Sequence, residues 1–192
     1  MRKTMLRNRK ELPMNKTEMI QLALNEGFSA VETIDMKQVI FNPAFRPFCE
    51  ENLCGQYGAN YSCPPDCGTP EEMKARITQY PNGIVFQTKW PITDYTDTQA
   101  IRAAKRAHNQ GTLRVIERMK QAGHTGVMAG ASCCNLCDRC AILDGEPCRD
   151  DERRFSCLSA YCVYVKALAE ACGMEYICED GQLALFGLYA FA

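Results

Sequence analysis

The stretch Cys134-Asn135-Leu136-Cys137-Asp138-Arg139-Cys140, with Cys148 after seven further residues, constrains this chain more than any other. Three thiols at two-residue gaps and a fourth nearby are the donor set of a metal centre. A single tetrahedral zinc is usually held by two separated ligand pairs. An iron–sulfur cubane has corners a few ångströms apart, and a C-x2-C-x2-C loop wraps three of them while a remote cysteine closes the site. The spacing therefore points to Cys134, Cys137, Cys140 and Cys148 as ligands of one [4Fe–4S] cluster, with zinc as the alternative.

A second cysteine group lies earlier, at Cys49, Cys54, Cys63 and Cys67. Gly55, Gly58 and Gly68 allow tight turns and close approach of backbone to a cofactor, and Pro64 and Pro65 stiffen the segment between the last two thiols. This spacing is compatible with a second cubane or with structural zinc. Thr69-Pro70-Glu71-Glu72 then reads as a capped helix start whose positive end would favour an anionic centre beside Cys67.

Composition narrows the classes. The 192 residues are 46% hydrophobic, enough for one core carrying a metal module. A net charge of −1 gives no field that would draw the chain to nucleic acid or an anionic membrane. Thirteen cysteines, an odd number, stand without an apolar leader, which favours metal binding in a reducing, cytoplasmic compartment over a disulfide framework. Residues 1–14, with Arg2, Lys3, Arg7, Arg9 and Lys10, read as a flexible basic tail, and residues 15–192 as a single metal-binding domain. No apolar run approaches the ~18 residues of a membrane helix.

The remaining pattern predicts an α/β or α+β fold: a small mixed sheet, flanking helices and two cysteine loops. Helices are expected over residues 15–27 (capped by Asn15 and Glu18, with Ile20, Ala23 and Leu24 inward), from Thr69, over 94–122 with an interruption at Gly111, and over 156–172. Strands are expected at 38–41, 83–90, 125–129, 175–178 and 183–191, with Asp180-Gly181 as the last turn. His108 reads as a hydrogen-bonded core histidine. Cys162 and Cys172 read as core packing, and Cys133, Cys157 and Cys178 as spare thiols.

Arg46-Pro47-Phe48-Cys49, Cys54-Gly55-Gln56-Tyr57-Gly58, Cys63-Pro64-Pro65, Gly130-Ala131-Ser132 before the central motif, Gly145-Glu146-Pro147-Cys148-Arg149 and the closing Phe186-Gly187-Leu188-Tyr189 together carry a resemblance. From about Gly27 to the C-terminus the chain resembles a bacterial and archaeal family of predicted metal-binding proteins of unknown function. The resemblance implies a metal, a prokaryotic and anaerobic host, and both cysteine groups as ligands; it supplies no reaction. The sequence departs from the family pattern at Asp150 and Asp151, where His-Pro is common, and at Phe155 and Cys162.

Three function classes follow. Two fully thiolate-ligated cubanes suit electron transfer with a redox partner protein, and make an enzyme the less expected outcome. Catalysis at an open iron is the second: Cys133, Cys137 and Cys140 match the C-x3-C-x2-C of radical S-adenosylmethionine enzymes. Against it, only 52 residues follow Cys140, too few for the barrel of that family, and Arg139 stands where an aromatic is usual. The third is a structural zinc domain for protein interaction.

Overall fold

The computed structural model describes residues 13–178 and 181–192. Most of the expected basic tail, and Asp180 of the expected last turn, lie outside the described residues. The elements in chain order are α1 (Lys16–Asn25), β1 (Ala30–Asp35), α2 (Arg46–Glu50), α3 (Pro70–Thr78), β2 (Asn82–Pro91), α4 (Thr98–Gln121), β3 (Gly126–Gly130), β4 (Ser156–Cys157), α5 (Val165–Ala171) and β5 (Gln182–Phe191). The strands form one sheet in the order β1-β2-β5-β3-β4, in which only β3 and β4 run parallel. This is the expected α/β architecture with a mixed sheet.

The sheet's two-residue side-chain period sorts its residues onto two faces. Ile84, Phe86, Tyr189 and Phe191 meet Met19 and Ala23 of α1 and Val115 and Met119 of α4. Val85, Leu188 and Ala190 meet Met73 and Ile77 of α3 and Leu168 of α5. Full burial of side chains such as Ile77 and Leu188 contributes about 1.5–3 kcal/mol each. The central pair β2–β5 runs antiparallel from Asn82↔Phe191 to Pro91↔Gln182.

Local signals are obeyed where they are strong. Asn15 and Glu18 close a capping box on α1, and Thr69 and Glu72 close another on α3. His108 is buried, with Nδ1 2.8 Å from the Thr88 hydroxyl and its ring edge-on to Phe28. Burial lowers its pKa to about 3, so it is neutral.

Several expectations are corrected. α4 runs unbroken through Gly111; a Cβ there would lie 3.3 Å from the Phe28 ring, so the glycine lets α4 pack closely on Phe28. The inward face of α1 is Met19 and Ala23, while Leu24 is exposed. Residues 38–41 are not a strand. The chain instead makes a strand earlier, at β1, an edge strand on which only Ile34 is buried and so little alternation is visible. Phe41 keeps a single bridge to Val163. Residues 175–178 lie outside the strands: the Glu175 carbonyl accepts from the Gln87 side chain at 2.6 Å and its carboxylate pairs with Lys89.

The largest correction is at 156–172, where the helix is only α5, Val165–Ala171. Upstream, irregular turn bonds (Tyr161 N to Cys157 O, Cys162 N to Ser159 O, Val163 N to Leu158 O) alternate with bonds to distant partners. Leu158 N donates to Gly130 O at 3.0 Å, Asn42 N to Cys162 O at 2.8 Å, and Tyr164 N to Ile40 O at 2.8 Å. Cys162 takes a left-handed φ of 56° to make this possible. It is nonetheless buried, as is fitting for a packing thiol.

Candidate metal centre

Both cysteine groups lie on connections between elements of the core. The second is the loop from β3 to β4. Its entry is fixed by Asn109 of α4, which is fully buried: Oδ1 accepts from Ala131 N at 2.9 Å and Nδ2 donates to Ser132 Oγ at 3.0 Å. Gly130 is required there, since a Cβ would lie 2.8 Å from both Asn109 Oδ1 and the Phe155 ring. The hairpin between Cys140 and Cys148 is a 3-10 turn, Ala141–Asp144, ended by Gly145 at φ 69°. Arg149 donates to the Arg139 carbonyl at 2.9 Å, and both arginines pair with Asp144. These bonds bring Cys148 back: Cys134, Cys137, Cys140 and Cys148 line one cavity, which Asn60, Tyr61 and Arg154 also border.

The first group is the connection from α2 to α3. Cys49 lies on α2, Cys54 is exposed in the following turn, and Cys63 and Cys67 are buried. Gly58 N donates to Pro64 O at 2.9 Å, folding the loop on itself. Cys49 lies within electrostatic reach of Cys54, Cys67 and Cys162. The Cys63 thiol instead lies beside Cys133, whose Sγ donates to Gln56 Oε1 of the first loop at 3.5 Å. The neighbouring Cys133 and burial raise the Cys63 pKa, while Cys63, with Lys105 and Arg102 nearby, lowers that of Cys133. Cys157 is also near this pair, and burial pushes it up to about 12.

The two loops are fastened to each other through residues 60–62. Asn60 Nδ2 donates to the Cys134 carbonyl at 3.0 Å, and Ser62 Oγ accepts from Cys134 N at 2.8 Å. Tyr61 OH donates to the Glu146 carbonyl at 2.8 Å, while Arg154 donates to the Tyr61 carbonyl at 2.9 Å. Sequence reading missed Asn60, Ser62 and Asn109 as positioning residues, and missed that Cys133 faces the first group. The adjacent pair Cys133-Cys134 held the one available signal, since neighbouring side chains in extended chain point opposite ways.

Arg46 is the other unexpected residue. Its side chain is 8% exposed and donates to the Gly68 and Ala160 carbonyls, each at 2.9 Å. Its Nε has no partner, and no carboxylate pairs with it among the described residues. A buried charge without a counter-charge costs several kcal/mol. The titratable groups it faces are Cys49 and Cys67, whose pKa values burial raises and Arg46 draws back down. Ionised thiols at these positions would supply the missing negative charge. The positive end of α3, by contrast, is already taken by Glu72, which accepts from Thr69 N at 2.8 Å.

The donor chemistry thus fits a thiolate-bound metal at both loops. Among the described residues, no three His, Cys, Asp or Glu side chains converge tightly enough for a single ion. The cavity lined by Cys134, Cys137, Cys140 and Cys148 is about 20 Å³, room for about one water. The four thiols that line it are each partly exposed.

Two interlocked cysteine loops on an α/β core place the molecule among cysteine-rich metal-binding proteins. The chain belongs to the family described as Predicted metal-binding protein (DUF2284), whose model matches residues 32–189. No curated protein and no solved structure matches it. Among the described residues no helix is long and apolar enough to cross a membrane.

Proposed function

We propose that the protein holds two [4Fe–4S] clusters and carries electrons, as a free carrier or as a redox subunit. Cys134, Cys137, Cys140 and Cys148 would bind one; Cys49, Cys54, Cys63 and Cys67 the other, with Cys63 leaving Cys133 to do so. The observation that carries the reading is the convergence of all four thiols of the C-x2-C-x2-C-x7-C motif on one cavity. When bound, such a cluster supplies a one-electron couple, and four thiolates leave no iron open to substrate. The chain's own residues fix the loops: Asn60, Ser62 and Asn109 hold the backbone around Cys134, and Arg46 supplies a fixed positive charge beside Cys49 and Cys67. A buried cation beside the centre favours its more negative, reduced form. The partner is then a second redox protein in the same compartment.

The test is metal and acid-labile sulfide content of protein purified without oxygen, with its visible spectrum. About eight irons and eight sulfides per chain, and a brown colour that dithionite bleaches, are expected. Cys137→Ser should remove about half the iron. About two zincs without colour would overturn the reading in favour of a zinc scaffold, and unchanged iron in Cys137→Ser would remove that residue from the ligand set.

A further inference from the structure

A cleft of about 1010 Å³ lies beside the cysteine loops, and nothing derived above uses it. Its origin is topological. β4 is only two residues long and pairs with Ala129 and Gly130 alone. Among the described residues the outer edge of β3 at Gly126, Val127 and Met128 therefore has no neighbouring strand, and these three residues line the cleft. The C-terminal half of α4 forms one wall and the turn at 151–154 another.

The lining has a definite chemistry. Six cationic and four carboxylate side chains border the cleft. Two of the carboxylates are already matched: Glu26 pairs with Arg114 at 2.7 Å and Asp151 with Arg154 at 2.8 Å. Arg76, Arg118 and Lys120 have no ion-pair partner among the described residues and reach the cleft from α3 and α4, Arg76 also donating to the Cys67 carbonyl at 3.1 Å; Glu117 and Glu152 are likewise unpaired, which leaves the lining with an excess of two cationic side chains. Met128, Ile116 and Tyr161 add apolar surface to the lining. Cations converging on a concave site with apolar lining are what a small organic anion requires: charge for its acidic groups, an unpaired strand edge for its polar atoms, and apolar surface for its carbon skeleton.

We infer that this cleft binds an organic polyanion of metabolite size, carrying two or more carboxylate or phosphate groups. The site adjoins the metal loops. Tyr61 and Arg154 line both the cleft and the cavity of the Cys134 loop. Tyr61 stands between Asn60 and Ser62, the two residues whose side chains hold the Cys134 backbone. An anion in the cleft thus rests on the segment that joins the two cysteine loops. The inference is independent of which metal those loops carry, so finding zinc in place of iron would leave it standing.

The experiment is calorimetric titration of the whole protein at low salt with citrate and, separately, pyrophosphate. At least one is expected to bind with a Kd below about 1 mM. The pair of probes distinguishes a carboxylate site from a phosphate site. Reversing both free cations of α4, Arg118→Glu with Lys120→Glu, should weaken binding about tenfold or more. Lys37→Glu with Lys166→Glu makes the same change in net charge at two residues outside the cleft lining, and should leave the affinity as it was. Circular dichroism and metal content of each variant identify a folding failure, in which case Arg118→Gln alone is used and must weaken binding. Binding of neither probe below 1 mM would overturn the inference. So would an equal loss in the Lys37 and Lys166 double variant, which would mean attraction to overall charge only.

Discussion

At the scale of single residues, the adjacent pair Cys133-Cys134 divides the molecule's chemistry. Cys134 lines the cavity with Cys137, Cys140 and Cys148, while Cys133 donates to Gln56 Oε1 in the other loop and lies beside Cys63. Cys134→Ser should therefore cost about one cluster's iron, and Cys133→Ser should leave the second loop's iron in place. Iron and sulfide analysis of the two variants decides it; the opposite ranking would mean that Cys133, Cys137 and Cys140 form the ligand set, with one iron open. His108 makes a separate prediction. Its pKa is about 3 in the folded chain against 6.5 ordinarily, because burial disfavours the imidazolium. Between those values the unfolded chain binds a proton that the folded chain does not. The contribution of His108 to stability is thus full above pH 6.5 and is lost as pH falls toward 3, by about 1.4 kcal/mol per unit. The measurement is urea unfolding of parent and His108→Gln at pH 7 and pH 5. The difference in stability between the two proteins should shrink at the lower pH.

At the scale of elements, β3 decides where the second cysteine loop begins. It pairs with β5 from Gly126↔Phe191 to Ala129↔Leu188 and hands the chain to Gly130. Gly126 permits this pairing: a Cβ there would lie 1.9 Å from the Ala190 carbonyl oxygen, a backbone atom that cannot swing aside. Gly126→Ala should destabilise the protein by about 3 kcal/mol or more, since β3 must shift off β5. Denaturant midpoints measure this. A midpoint close to that of the parent would mean that β3 can slide without cost, and that the loop's position is not set by the sheet. α4 acts through one side chain, Asn109, which reaches from the helix to the turn Gly130-Ala131-Ser132 and ties the loop to the sheet's helical layer.

At the scale of the whole molecule, the sheet and the loops are separate sources of order. The apolar clusters lie on the two faces of β2 and β5, against α1, α4, α3 and α5. The loops at 49–68 and 131–148 are held by a smaller set of hydrogen bonds, by Arg46, and by whatever metal the thiols bind. Metal removal by a chelator under reducing conditions should leave the sheet's amides protected from hydrogen exchange while those of both loops exchange much faster. Collapse of protection across β2 and β5 would show that metal and core fold as one cooperative unit. The same separation puts the cleft with its excess of cationic side chains between the two, walled by α4 and by the segment that clasps the cysteine loops.

The sequence by itself determined the local features whose causes are local. The capping boxes at Asn15 and Thr69, the strands β2, β3 and β5, the buried neutral histidine and the membership of a metal-binding family were all legible from neighbouring residues or from motif spacing. The tertiary structure alone decided the features whose hydrogen bonds run between distant segments. Residues 158–164 abandon a helix because Gly130, Ile40 and Asn42 offer partners from elsewhere in the chain. β1 forms at a weakly patterned edge because β2 is there to pair with it. Arg46 is buried without a carboxylate because two remote carbonyls and two thiols surround it. Periodicity reports which face of a segment is apolar. It carries no record of which distant backbone group will complete that segment's hydrogen bonds, and it is those bonds that bring the two cysteine loops together.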